Sequence, residues 1–421
     1  MAPVKKAPPP SGATADSSGV AFPMRSVAIG VMLPALLFSI AVGIALPIIP
    51  ASATRLGADL ATAGFVAALL PLGKILADVP SGALASRIGD RNAMVVAAGL
   101  GLVAFVGAAT ARALWALQLS VLLLGVATAV FHLARHAYLT EVAPVDKRAR
   151  VLSTLGGMHR LGYFIGPFLG AAVIVSTSLG PAYWLATGCA LATLVVLLAV
   201  RPPAGERTRR ATSAPAPSVL RIVGRHRRLF LTLGTATLLV GAMRGARQTV
   251  LPLWGEYLAL DPEVISLIFG LSGAFDVLLF YPAGKVMDSL GRLWIAVPSM
   301  LIMGLALAVL PLTGTVVAMS VVAGLLGLGN GLGSGIIMTV GADVAPPDGR
   351  SSFLGVWRLF QDTGDAAGPL IIAAGAALGS LAGGIWVTAT IGLLSSAALS
   401  RWVPRYSVHA NRTTRRRAGL L

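Results

Sequence analysis

The 421-residue chain is 56% hydrophobic and only 12% charged, and its 33 basic residues outnumber 16 acidic ones for a net charge of +17. Soluble domains carry about 25% charged residues, so this composition excludes an ordinary soluble protein and makes nucleic acid an improbable reason for the basic excess. The single cysteine, Cys189, lies in an apolar run, which excludes a disulfide framework and a thiolate metal cluster.

A bilayer core needs about 20 apolar residues per helix. Cutting the apolar runs at loop signals predicts an all-α membrane protein with twelve spans, at roughly 27–50, 60–85, 92–111, 114–138, 151–176, 180–200, 229–253, 264–287, 293–312, 315–342, 353–377 and 380–401. The first run is too long for a signal-peptide core and is read as a retained helix. Residues 1–26, with Pro8, Pro9 and Pro10, read as a disordered tail. The spans then divide into halves at 27–200 and 229–402, separated by a basic linker at 201–228 and followed by a basic tail at 403–421. Within the linker, Ser218 to Phe230 has the pattern of a basic amphipathic helix lying on a membrane surface.

The halves repeat each other at a fixed offset of 202 residues. Pro50 recurs as Pro252, Gly82 as Gly284, Gly89 as Gly291, Pro144 as Pro346, Gly166 as Gly368 and Trp184 as Trp386. Two similar membrane-embedded halves imply a pathway between them. Basic residues gather on one side of the spans, in the loops around Arg87, Arg148, Arg292 and Arg350, the linker and the tail. The opposite side has Arg55 and Arg112 among acidic Asp59, Glu256, Asp261 and Glu263, so the positive-inside rule places both termini in the cytoplasm of a plasma (inner) membrane protein.

Local motifs carry a family resemblance. Gly82, Arg87, Gly89 and Arg91, with Gly284, Asp288, Gly291 and Arg292, resemble the G-x-x-x-D-[RK]-x-G-R signature of the major facilitator superfamily in the second and eighth loops. Ser86 stands where the first copy would have aspartate, and Ser289 replaces the second copy's next basic residue. Glu141 and Arg148, repeated as Asp343 and Arg350, are similar to the family's element after helices four and ten. The resemblance implies the major facilitator fold, two pseudo-symmetric six-helix halves, and a role for these charges in latching the cytoplasmic side; solvated loop charges obeying topology rules are the plain alternative. Gly162, Gly166, Pro167 and Gly170 resemble part of the fifth-helix motif of drug/proton antiporters, although Ser153 replaces one glycine. Small residues there allow close helix packing.

Ionisable residues inside spans are costly and mark function. Lys74, Arg160, Asp276 and Asp362 each fall about 12–18 Å deep, and the offset matches Lys74 to Asp276 and Arg160 to Asp362, opposite charges at equivalent positions. In the fold that the resemblance implies, helix two meets eleven and helix five meets eight, so two inter-half pairs are expected, Lys74 with Asp362 and Arg160 with Asp276. The alternatives are that each charge faces a watery cavity, or that Lys74 pairs with Asp78. Asp78 on helix two also matches Arg135 on helix four in depth, and His132 and His136 share a face beside it. His132 is a candidate proton carrier and otherwise a packing residue, as is His159. Arg244 and Arg247 lie in the outer half of helix seven, to meet an anion or Glu256, with the headgroup region as the alternative for Arg247; Asp365 is placed to face the same cavity as Asp362.

The run Gly327 to Gly335 fits no nucleotide-loop register and is read as close helix packing; no phosphate-binding Lys motif exists. No metal, cofactor or enzymatic activity is expected. The resemblance implies a secondary transporter exchanging a small molecule for protons, acting as a monomer among membrane lipids, with efflux as the first reading. Proton-coupled uptake of an organic anion or other metabolite remains open, as does a transporter-like receptor or lipid scramblase.

Overall fold

The computed structural model describes residues 28–143, 148–200, 219–346 and 350–419. The segment expected to be disordered (1–26), most of the linker (201–218) and the side chain of Arg148 lie outside the described residues.

Twelve long helices follow in order: α1 Ile29–Arg55, α2 Leu60–Ile88, α3 Asp90–Thr110, α4 Leu114–Val142, α5 Arg148–Ser176, α6 Leu179–Ala199, α7 Arg227–Tyr257, α8 Pro262–Leu290, α9 Leu293–Leu312, α10 Val316–Val344, α11 Arg350–Ala377 and α12 Leu381–Tyr406. Among the described residues eleven of these are long and apolar enough to cross a membrane; α11 falls outside that set. Arg358, Asp362 and Asp365 dilute its apolar character, and it still packs along α2, α7 and α12 as a full member of the bundle.

The 202-residue repeat is visible in the packing. In the first half α1 packs on α5 and α6, and α4 on α2 and α3; in the second, α7 packs on α11 and α12, and α10 on α8 and α9. The conserved offset of the glycines explains part of this. A Cβ at Gly166 would come within 2.6 Å of the Ile40 carbonyl oxygen on α1, and one at its repeat partner Gly368 would strike the Ala242 carbonyl on α7. In both halves glycine therefore sets the distance between the first and fifth helices.

Several helices run further than their apolar stretches. α2 continues to Ile88, so Gly82 and Arg87 are helical and the expected second loop shrinks to Gly89, whose φ of 89° needs glycine. Gly291 repeats this with φ 112° after α8. Of the expected amphipathic helix only Val219–Arg225 forms before α7 begins. The far end of α2 is capped by Asp59, whose Oδ1 accepts from the Thr62 amide at 2.8 Å; bonding to Thr62, side chain first and backbone second, holds this carboxyl below its usual range. In α10, a turn at Gly333–Gly335 separates Val316–Leu332 from Ile336–Val344, with Gly335 left-handed at φ 75°. The rest of the glycine run packs as expected: Gly327 lies against Ser272 and Gly329 against Met303.

Between the halves, α2 lies along α11 and α5 along α8. On the face away from the arginine-rich loops, α1 reaches across to α7 and α8, and Thr54 Oγ1 donates to Glu256 Oε2 at 2.7 Å. These two residues are themselves 202 apart. On this face the two halves are thus in contact. Toward the basic face α4 and α10 present exposed His136, Thr140 and Met338.

Candidate functional site

Four helices bring opposite charges together midway between the faces. Arg160 on α5 donates through Nη1 to Asp276 Oδ1 on α8 at 2.5 Å, and its guanidinium lies 5.0 Å from the Phe280 ring. Asn330 on α10 donates to the other oxygen of Asp276 at 2.8 Å. The expected second inter-half pair is corrected in its partner. Lys74 Nζ donates to Asp365 Oδ2 at 3.1 Å, whereas Asp362 is held on its own helix by Arg358 at 3.3 Å.

Depth accounts for the correction. Measured from the true end of α2 at Ile88, Lys74 lies about 21 Å in; from Arg350, Asp365 lies about 22 Å in and Asp362 about 18 Å. Asp78, about 15 Å in, is the residue level with Asp362, and the two carboxyls face each other across the halves. Asp78 Oδ2 is buried without a hydrogen-bond partner, so the expected Asp78–Arg135 pair is also absent.

The remaining candidates fall into two groups. Arg247 is 8% exposed and donates to Ser272 on α8 at 3.0 Å, which places it inside the bundle rather than among headgroups. Arg244 donates to the Gly333 carbonyl at the break in α10, which also accepts from the Ile336 amide, and neither arginine pairs with Glu256, which accepts from Thr54 instead. On the first half, the His132 ring meets His159 edge-on at 4.7 Å, and His159 continues to the Tyr163 ring at 4.4 Å and to Ser39 Oγ at 2.9 Å. His136 turns its Nδ1 to the His132 carbonyl at 2.8 Å.

The gate motifs act inside each half rather than between halves. Arg91 donates to the carbonyls of Leu197 and Val200 at 2.5 and 2.7 Å, satisfying the end of α6. Arg292 pairs with Asp343 at 3.1 Å and Asp288 at 3.3 Å, Ser407 donates to Asp343 at 2.9 Å, and Arg350 donates to the Ala342 carbonyl at 3.2 Å. The first-half equivalents of Arg292 and Asp343 are Asp90 and Glu141, two acids that cannot form the same bond. Arg87 and Glu141 are exposed, and a Cβ at Gly82 or Gly284 would meet open space. Sequence reasoning missed Asn330, Ser272 and Arg358. Arg358 was signalled by its four-residue spacing from Asp362; the neutral pair had no charge to betray them. Among the described residues no group of His, Cys, Asp and Glu is arranged to hold a metal.

Two six-helix halves clasped about buried, oppositely charged pairs define a polytopic membrane carrier. The sequence profile of the Major Facilitator Superfamily matches residues 31–253 and 233–420, and the chain belongs to that family of membrane transporters. An uncharacterized MFS-type transporter of Mycobacterium tuberculosis is 31% identical over 261 residues, covering 56% of this chain and 58% of the relative's own length. The uncharacterized MFS-type transporter YhjO of Bacillus subtilis is 23% identical over 80% of this chain and 82% of its own. Among solved structures, a POT family transporter in complex with a thioalcohol-conjugated peptide has a TM-score of 0.74 at 13% identity, covering 91% of this chain and 96% of that one. That last likeness speaks to the fold alone.

Proposed function

We propose that this chain is a secondary active transporter that moves a small molecule across the plasma membrane by alternating access, exporting it in exchange for protons, with its basic face and both termini cytoplasmic. The observation that carries the reading is the pair of bridges Lys74–Asp365 and Arg160–Asp276, each joining one half to the other midway through the bundle. Every bridge has a carboxylate partner. Protonating that carboxylate removes the attraction, so the proton and the relative position of the halves are linked. The contact of α1 with α7 and α8 on the far face supports reading this as a state open toward the cytoplasm. Export is favoured by the partial antiporter motif around Gly162 and Pro167, now seen as the α1–α5 contact.

The test is substrate-dependent proton movement in proteoliposomes holding the full chain and an internal pH dye, with substrates drawn from a susceptibility screen of cells expressing or lacking the protein. Export predicts protons moving against the substrate; uptake by symport predicts both moving together. Lipid scrambling that ignores the proton gradient, or a screen in which no compound's accumulation changes, refutes the proposal.

A further inference from the structure

We infer that Arg135 and Arg358, facing each other from opposite halves, form the binding site for the oxyanion of an aromatic or otherwise apolar organic acid, and that such anions are the cargo class; the assignment of cargo rests on the transporter reading above. Arg135 is 2% exposed, yet its Nε and Nη1 are buried with no hydrogen-bond partner. Among the described residues it pairs with no carboxylate. A guanidinium in that condition is costly, and a structural arginine at such depth ordinarily finds an acid or a carbonyl. Nearby, Arg160 and Lys74 reach carboxylates and Arg247 a serine hydroxyl.

Its surroundings point to what is missing. Across the bundle Arg135 interacts electrostatically with the Tyr163 hydroxyl and with Arg358, and it in turn bears on His132, His136 and His159. Two guanidiniums brought together across the dividing surface repel each other; Arg358 bonds Asp362 on its own helix through Nε and also acts on Asp78 from the other half. An anion between them converts that repulsion into two attractions, one to each half. A planar carboxylate or a phosphate matches the guanidinium fork. The Phe131 ring, 5.8 Å from the Arg135 guanidinium, and the Tyr163 and His159 rings offer apolar faces to the rest of the molecule. Arg135 lies about 10 Å in from the basic-face end of α4, one residue from exposed His136, so the basic face is the nearer route to it.

The deciding experiment uses four probes sharing one ring: benzoate, phenyl phosphate, benzamide and benzylammonium, with thermal unfolding of the purified full chain in detergent as readout. At ten times its dissociation constant an anionic probe is expected to raise the midpoint by about 2 °C, and the neutral and cationic probes to leave it unchanged. The stronger of benzoate and phenyl phosphate assigns the oxyanion. Arg135→Gln and, independently, Arg358→Gln should each weaken the anion's effect at least tenfold in concentration, and Arg135→Lys should keep part of it. No anion effect on the wild-type chain, an equal effect from benzamide, or an undiminished effect in both glutamine variants overturns the assignment; the wild-type series decides even where a variant fails to fold. Because binding in detergent needs no proton gradient, an anion effect without proton movement in liposomes would sink the transport reading and leave the site standing.

Discussion

Replacing Asp276 with asparagine removes one charge from the Arg160 bridge while preserving shape. With charge centres about 4 Å apart and an effective dielectric near 20, the gross attraction is about 4 kcal/mol. The side chains are 21% and 13% exposed, so desolvation offsets much of this and leaves about 1–3 kcal/mol of coupling, above the roughly 0.6 kcal/mol typical of interhelical hydrogen bonds in membranes. Asparagine also sets a donor amide against the Asn330 amide, which must turn over to accept. The assay is a double-mutant cycle by thermal unfolding in detergent, with Asp276→Asn, Arg160→Gln and the two combined. The double variant should be little worse than Arg160→Gln alone. Additivity within about 0.5 kcal/mol would refute the claim that these residues act as a pair.

Reversing the other bridge discriminates between the two candidate carboxylates: Lys74→Asp should impair folding and activity, with recovery on adding Asp365→Lys and none on adding Asp362→Lys; recovery through position 362 would contradict the observed pairing. Gly166→Ala forces a methyl group to within 2.6 Å of the Ile40 carbonyl oxygen, and the resulting shift of α5 against α1 should cost about 1–3 kcal/mol, read as a melting point several degrees lower; an unchanged melting point would mean that the helices separate freely. Asp59 has a depressed folded pKa, so its cap contributes fully above the ordinary carboxylate pKa and fades as pH falls through the depressed value. Asp59→Asn keeps a capping oxygen and should flatten that part of the acid dependence; an acid titration superimposable on the wild type would remove Asp59 from the account.

The fold was legible because bilayer length and the 202-residue repeat constrain it from two directions, and the shared glycines of α1–α5 and α7–α11 show the repeat at atomic contact. Arg160–Asp276 was legible for the same reason, through the repeat and the pairing of helices that the family resemblance implies. Lys74 was assigned a partner one turn off because the expectation paired charges through the repeat rather than by level: α2 and α11 each run three residues past their apolar stretches, to Ile88 and Arg350, so Lys74 stands level with Asp365 by either measure. Asp78 lies about 15 Å in and Arg135 about 10 Å in, so Asp78 is nearer the level of Asp362, at about 18 Å, than that of Arg135. Ser272 and Asn330 stayed hidden because a neutral polar side chain barely changes hydropathy, and its role appears only when a neighbouring helix brings the charge. Among the described gate residues the bonds seen close within each half, as where Arg292 reaches Asp343 in the last turn of α10.

The break in α10 has no counterpart in α4, where the residues 202 positions earlier, Phe131 to Leu133, continue an uninterrupted helix. The two halves are therefore unequal in stiffness. α4 holds Arg135 on one continuous rod, whereas the nine residues Ile336–Val344 are joined to the rest of α10 through a left-handed glycine. Arg244 donates to the carbonyl at that joint and so ties the break in α10 to α7. A protein built from a duplicated plan has in this way acquired one rigid lever and one jointed one.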